Sequence, residues 1–360
     1  MEIIMEKSIK HIVMATAVML LTVTFTSCEK VSPQGVLMAN TSVDDRVKQS
    51  LVYYLVVDER LDKTLPEDVE SYSFLVGSDS HITIDPGRLS EMLEIGLEHD
   101  DLFYCHLGDL ADTKAEYYFN TDLALNYFFY EKWQEKYIKP YVDPTIGITE
   151  DMEYYIDERT GQWGKFEDFR IPFFPVVGNH DITHNGWALF NSIFKTSFYE
   201  FTVKIGESYD RFIFLDSANG TLGKYQIESI ENNTLLHDDK EIRNTFVFTH
   251  TNIFRPKFTE FASTYCREEL YYLLDKMNDW NTTIMFCGHV HAWDDRMFGG
   301  VRYITMPSMN FVDHPNGGDD LLVRITVNKN GSYEMERVGL YSKERSKSEL
   351  EYDGYYTSTK

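Results

Sequence analysis

The sequence predicts an α/β layered fold, and three observations carry that expectation. Five short apolar runs, rich in β-branched and aromatic residues, each end abruptly in a small residue followed by Asp, Asn or His. Segments with helical apolar spacing lie between them, and strand–helix–strand alternation implies layers. The composition, 43% hydrophobic and 26% charged over 360 residues, is that of an ordinary globular chain and argues against disorder, collagen or coiled coil.

The first run, Ser73 to Val76, leads into Gly77-Ser78-Asp79-Ser80-His81. The second, Leu102 to Leu107, leads into Gly108-Asp109-Leu110-Ala111-Asp112. Phe173 to Val177 precedes Gly178-Asn179-His180-Asp181, Thr245 to Phe248 precedes Thr249-His250, and Thr282 to Cys287 precedes Gly288-His289-Val290-His291. Helices are expected over Arg88–Leu97, Tyr225–Leu236 and Arg267–Lys276. Phe212 to Leu215 reads as a further strand that matches no metal motif, so Asp216 is expected to be structural. Leu321–Val327 and Tyr333–Leu340 alternate across Asn330-Gly331, a hairpin signal that would edge a sheet. Asp44 to Ser71, before the first motif, reads as a helical or mixed lead-in without a pattern that places it.

The chain opens with Lys7 and Lys10, the apolar run Ile12–Leu21, and small residues leading to Phe25-Thr26-Ser27-Cys28. That order reads as an export signal, and the run falls short of the ~20 residues of a membrane span. Cys after a small residue resembles a bacterial lipobox, which implies a lipid on Cys28 and a membrane-anchored protein of the cell envelope; cleavage near Ser27 without lipidation is the alternative. The expected organisation is a signal peptide over 1–27, a tether over 28–45, one domain over 46–342 and a polar tail over 343–360. Four cysteines make no disulfide framework; Cys105 and Cys287 sit in apolar runs and are expected in the core, while Cys266 is free to form at most one bridge. With Lys+Arg 34 against Asp+Glu 58, the net charge is −24, which disfavours duplex nucleic acid as a partner. A monomer acting on a small substrate is the simplest expectation.

The residues at the run ends are chemically coherent. In strands, polar ligands gather at the carboxyl ends, where loops present them. Asp79 and His81, and likewise His289 and His291, are two apart, so in extended backbone each pair would face one side. Mixed carboxylate, imidazole and amide donors suit Mn, Fe, Zn or Ni better than Ca²⁺. Singly each motif is weak, but the ordered set of five is not.

That order, Asp-x-His, Gly-Asp-x-x-Asp, Gly-Asn-His-Asp, His and Gly-His-x-His, resembles the calcineurin-like metallophosphoesterase family over about Phe74 to Met306. The resemblance implies a four-layer sandwich, two mixed β-sheets packed face to face and flanked by helices, holding two divalent ions about 3–4 Å apart. It implies Asp79, His81 and His291 on the first ion, Asn179, His250 and His289 on the second, and Asp109 bridging both. His180 resembles the family's catalytic histidine, which protonates the leaving group, and Asp112 the carboxylate that orients it; Asp181 is a weaker candidate for support. The implied reaction is hydrolysis of a phosphate mono- or diester by a hydroxide that the two ions generate. Two divalent ions against two carboxylates and one hydroxide leave about one positive charge at the centre, enough to attract a phosphate ester because distant acidic charges are screened.

Some positions depart from branches of that family. Asp112 stands where purple acid phosphatases carry Tyr, and Thr113 and Asp181 stand where protein phosphatases carry Arg and Glu. The pattern is nearer to bacterial cyclic-nucleotide phosphodiesterase-like members, except that Thr251-Asn252 follows His250 in place of His and Pro. A nucleotide or cyclic-nucleotide phosphodiesterase is therefore the alternative enzyme, and a metal-stabilised scaffold the alternative from another class; the full ligand set favours an enzyme. Residues 114–170 form a cap-like insertion dense in aromatics, read first as a packed helix face and second as a substrate lid. Arg255, Trp293 and Asp294 lie near the site in sequence, with solvation favoured for the first and packing for the other two.

Overall fold

The computed structural model describes residues 41–51, 62–82, 87–111, 173–232, 240–254, 265–309 and 321–340. The leader, the insertion, Asp112 and Arg255 lie outside these residues. Helix α1 covers 43–51. Strands β1 (Lys63–Thr64) and β2 (Ser71–Gly77) follow, then α2 (Gly87–Glu98), β3 (Phe103–His106) and β4 (Phe173–Pro175). A 3₁₀ turn over His180–Asn185 enters α3 (Gly186–Phe194), and β5 (Tyr199–Ile205) and β6 (Ser208–Phe214) form a hairpin before α4 (Gly223–Glu231). The remainder is β7 (Ile242–Thr249), α5 (Arg267–Asp279), β8 (Thr282–Cys287), β9 (Asp294–Phe298), β10 (Val301–Thr305), β11 (Leu321–Asn328) and β12 (Tyr333–Gly339).

The strands form two mixed sheets. One runs β1-β5-β6-β7-β8-β10-β9 and the other β12-β11-β2-β3-β4. Strands β2, β3 and β4 are mutually parallel, as are β6, β7, β8 and β10. The five motif strands therefore deliver their carboxyl ends, within each sheet, to one edge. Toward those ends they are apolar, because both faces are covered there. In β3, Phe103 and Cys105 enter the core between the sheets while Tyr104 joins the cluster under α2 and α3. The inter-sheet core is largely aromatic: Phe74 meets Phe212 edge-on at 5.2 Å between centroids, and Phe174 meets Phe201 at 4.3 Å.

Leu89, Met92 and Leu93 of α2 and Leu189 and Ile193 of α3 cover the outer face of the five-stranded sheet. Tyr104 lies against Gly96, where a Cβ would strike its ring, and donates its hydroxyl to the Leu93 carbonyl at 2.6 Å. Leu273 and Met277 of α5 and Ile230 of α4 share a buried cluster with Ile213, Val247 and Met285 on the other sheet. The order helix, sheet, sheet, helix is the four-layer α/β architecture that the sequence predicts.

The expected helices start within two residues of the expected positions, the second ending at Glu231 with Leu236 outside the described residues, and the final hairpin closes as β11–β12 with Gly331 at φ 87° in its turn. Cys105 and Cys287 are buried and unbridged, and Cys266 is exposed and free. Trp293 packs at the rim of the core under the Arg337 guanidinium, 4.7 Å from its ring centre, and Asp294 pairs with Arg296. Asp216 receives Nε and Nη2 of Arg46 at 2.8 and 2.7 Å, with both side chains fully buried, so its role is structural. No helix among the described residues is long and apolar enough to cross a membrane.

Candidate metal centre

The loops after β2, β3, β4, β7 and β8 meet at the carboxyl edge, and they bring all seven expected ligands together. Asp79, His81, Asp109 and His291 place one donor atom each within 4.8 Å of the others, and Asp109, His250 and His289 do the same. Asp109 belongs to both groups. In the first group His291 Nε2 lies 3.2 Å from Asp79 Oδ1 and 3.1 Å from His81 Nε2, and His81 Nε2 lies 4.0 Å from Asp109 Oδ2. In the second, His250 Nε2 lies 2.9 Å from Asn179 Oδ1, 3.2 Å from His289 Nδ1 and 3.3 Å from Asp109 Oδ2.

One sequence expectation is corrected here. The ligand pairs do not sit in extended backbone. Strand β2 ends at Gly77 and β8 at Cys287, and Asp79, His81, Asp109, His289 and His291 have φ of 53°, 44°, 50°, 73° and 52°. These five are among eight non-glycine residues with positive φ in the described chain. Each such residue costs about 1–3 kcal/mol and persists only where its surroundings over-determine it. The surroundings are visible: Asp79 N–H donates to the Gly108 carbonyl and His81 N–H to the Asp109 carbonyl, both at 3.0 Å, which zips the first two ligand loops together. Ser308 Oγ donates to the Asp79 carbonyl at 2.7 Å, and Met309 N–H to the Ser78 carbonyl at 2.8 Å. Sequence reasoning missed Ser78 and Ser308, since a serine beside a motif carries no signal of its own.

The donor set fits metal ions. Asp79 Oδ2 receives the Ser78 hydroxyl and the His289 N–H, while Asp79 Oδ1, fully buried, faces His291 Nε2 at 3.2 Å. His250 donates Nδ1–H to the Leu107 carbonyl at 2.7 Å, which leaves Nε2 facing Asn179, Asp109 and His289. With His250 neutral these buried lone pairs face one another, which is unfavourable unless a cation lies among them; in the ion-free protein the proton on His250 takes that place. Donor–donor spacings of 3–4 Å are those of ligands about 2.0–2.2 Å from a common ion.

The electrostatics follow. Burial opposes ionisation of Asp79, but His291 outweighs it and holds the carboxyl at about 2. Burial also opposes ionisation of Asp109, and His250 and His180 pull it well below the usual carboxylate range. Burial drives His81 down to about 3, with His180 adding to it, and His289 down to about 4, with His250 adding to it. Burial likewise favours neutral His250, but Asp109 reverses this and raises it to about 9. Without ions, His250 therefore carries a proton through neutral pH, and an ion needs that lone pair. Loading the second group near pH 7.5 should release about one proton from His250, and affinity should rise about tenfold per pH unit until about pH 9 and then level. Calorimetry of metal binding in two buffers of different ionisation enthalpy reads this release; proton uptake, or affinity that falls with rising pH, contradicts it.

Close approach of the loops depends on glycine. A Cβ on Gly178 would collide with the backbone nitrogen and carboxylate of Asp109, and Gly108, at φ 89°, rests against Gly178 and the His250 ring. Asp181 fastens the same junction, accepting Ala111 N–H at 3.0 Å and Gly178 N–H at 2.8 Å. Gly178→Ala should lower stability by about 3 kcal/mol and weaken binding of both ions, measured by urea unfolding and metal titration. Unchanged affinity in the folded variant would refute the packing argument.

His180 stands at the mouth with its side chain 12% exposed, Nε2 4.0 Å from Asp109 Oδ2 and its ring edge-on to His81 at 4.7 Å. Its backbone N–H donates to Asp109 Oδ1 at 2.7 Å, so the residue both orients the shared carboxylate and presents an imidazole beside it.

No family model matches the chain, and no curated protein matches it in sequence. Solved structures similar to it include GAP50, the anchor in the inner membrane complex of Plasmodium, at 15% identity and TM-score 0.49, covering 77% of this chain and 87% of that one. A dimetal phosphatase from Danio rerio has 11% identity and TM-score 0.46, covering 76% and 98%. A conserved predicted phosphoesterase from Streptococcus pneumoniae has 10% identity and TM-score 0.30, covering 75% and 99%. Likenesses of this strength decide nothing about activity, which rests on the geometry of the site.

Proposed function

We propose that this chain is a metal-dependent phosphoesterase of the calcineurin-like kind, a hydrolase of phosphate mono- or diesters. The observation that carries the reading is Asp109, a buried carboxylate common to two separate donor groups. Asp79, His81 and His291 would hold one ion, Asn179, His250 and His289 the other, and Asp109 both. Mn, Fe, Zn and Ni all suit these donors. When bound, the ions supply positive charge for the ester's phosphoryl oxygens and a water acidified toward neutral pH.

The chain's own residues do the rest. Asp109 and Asp79 offset part of the ions' charge, and the small surplus draws an anionic ester to an otherwise acidic protein. The His180 imidazole, partly exposed beside Asp109, would give a proton to the departing alcohol, worth about 10²–10⁴-fold. The test uses the purified, metal-stripped protein, reloaded with Mn²⁺ or Zn²⁺ and assayed for hydrolysis of a phosphomonoester and a phosphodiester. Metal-dependent turnover of either supports the reading. A protein that binds two ions yet hydrolyses neither of them, nor any ester of a metabolite panel, favours a metal-stabilised scaffold.

The order of residues 7–28 supports export and lipid anchoring at Cys28. Cys28→Ala should move the protein from the membrane to the soluble fraction of cells that express it; retention in the membrane fraction excludes the lipid.

A further inference from the structure

Ser217 belongs to none of the five motifs, yet it lies directly behind the second donor group. Its neighbour Asp216 makes a rigid floor: the side chain is clasped by Arg46, and its backbone N–H and C=O are both taken by the Gln226 amide of α4, at 2.8 and 2.7 Å. Ser217, fully buried, accepts the backbone N–H of His250 at 3.1 Å and of Thr251 at 2.9 Å, and its Oγ lies 2.7 Å from Thr249 Oγ1. Tyr265 Oη lies 2.6 Å from Thr249 Oγ1, which completes a chain of three buried hydroxyls. The Ser217 carbonyl accepts the Thr251 hydroxyl at 2.8 Å.

The anchored backbone leads to two ligands. His250 carries its imidazole into the second group, and its carbonyl accepts the Gly288 N–H at 3.0 Å, immediately before His289. None of the hydrogen bonds of Ser217 reaches Asp79, His81 or His291. We propose that Ser217 is a positioning residue of the second ion's site, holding His250 and, through Gly288, His289 by the backbone while its hydroxyl stays out of reach of substrate. This rests on the two-ion reading above. Partners that orient metal ligands are typically worth 10–100-fold in affinity.

Metal-stripped wild-type protein is titrated with Co²⁺, and two single-group backgrounds are made: His291→Ala, which leaves the second group intact, and His289→Ala, which leaves the first. Ser217→Ala is expected to weaken Co²⁺ binding about 10–100-fold in the His291→Ala background and by less than about threefold in the His289→Ala background. Thr249→Val should act in the same direction, and Thr249→Ser, which keeps the hydroxyl, should restore affinity. Arg324→Met breaks a buried ion pair with Asp101, at the amino end of β3 opposite Asp109, and serves as a destabilised control that should leave both affinities unchanged. Unchanged affinity in the His291→Ala background, or equal losses in both that follow thermal stability, overturns the positioning role. A wild-type protein that takes up fewer than two ions, or single-group backgrounds that take up none, overturns the two-ion reading and this inference with it.

Discussion

Replacing Asp109 with Asn is expected to strip both ions and reduce ester hydrolysis by about 10³-fold or more. Asn keeps the shape of the side chain and can still accept the His180 N–H that Asp109 Oδ1 accepts at 2.7 Å. What it removes is the charge that both donor groups share. Asp79 remains, but it serves only the first group, so the second is left with Asn179, His250 and His289 and no carboxylate. The same charge holds His250 up at about 9, so in the variant its proton should leave nearer the ordinary histidine value. Elemental analysis reads the first claim: two ions per chain in Asp109→Asn would remove Asp109 from the bridging role. A histidine titration followed by NMR in metal-free protein reads the second.

His180→Ala is expected to act differently, lowering kcat by about 10²–10⁴-fold with both ions retained. Retention follows from the geometry, because Asp109 is oriented by the His180 backbone N–H, which Ala keeps. The lost imidazole matters in proportion to the leaving group's need for a proton. A p-nitrophenyl ester departs as a stable anion, so the variant's penalty there should be small; an alkyl ester should show the full penalty. Rates that fall equally for both esters would make His180 a binding group for phosphate rather than a proton donor.

The elements readable in the sequence are those written in local patterns. The runs before Asp79, Asp109, Asn179, His250 and His289 are apolar because both faces of each strand are covered there, and that leaves a signal in four to six consecutive residues. Helix α5 shows Leu270, Leu273 and Leu274 at helical spacing, and the final hairpin shows Asn-Gly. Strand β9 escaped because it is exposed at a sheet edge and reads as charged, and β1 because it is two residues long. Helix α1 was legible only in part, since Val43 and Val47 are its only buried apolar residues, and beside them it buries Arg46, a residue type that local reasoning assigns to the surface.

Which chemical groups the chain carries, their order, and the strand or helix that precedes each could be read from neighbours in the chain, because strand and helix periods are properties of adjacent residues. That these groups share one centre follows from the packing of the two sheets. Asp79 and His289 lie 210 residues apart and meet through a hydrogen bond, Arg46 and Asp216 lie 170 apart and meet as an ion pair, and five ligands adopt left-handed backbone that only the surrounding loops enforce. Such pairings come from packing two sheets face to face, a non-local balance of burial and loop closure that leaves no mark in any short stretch of residues.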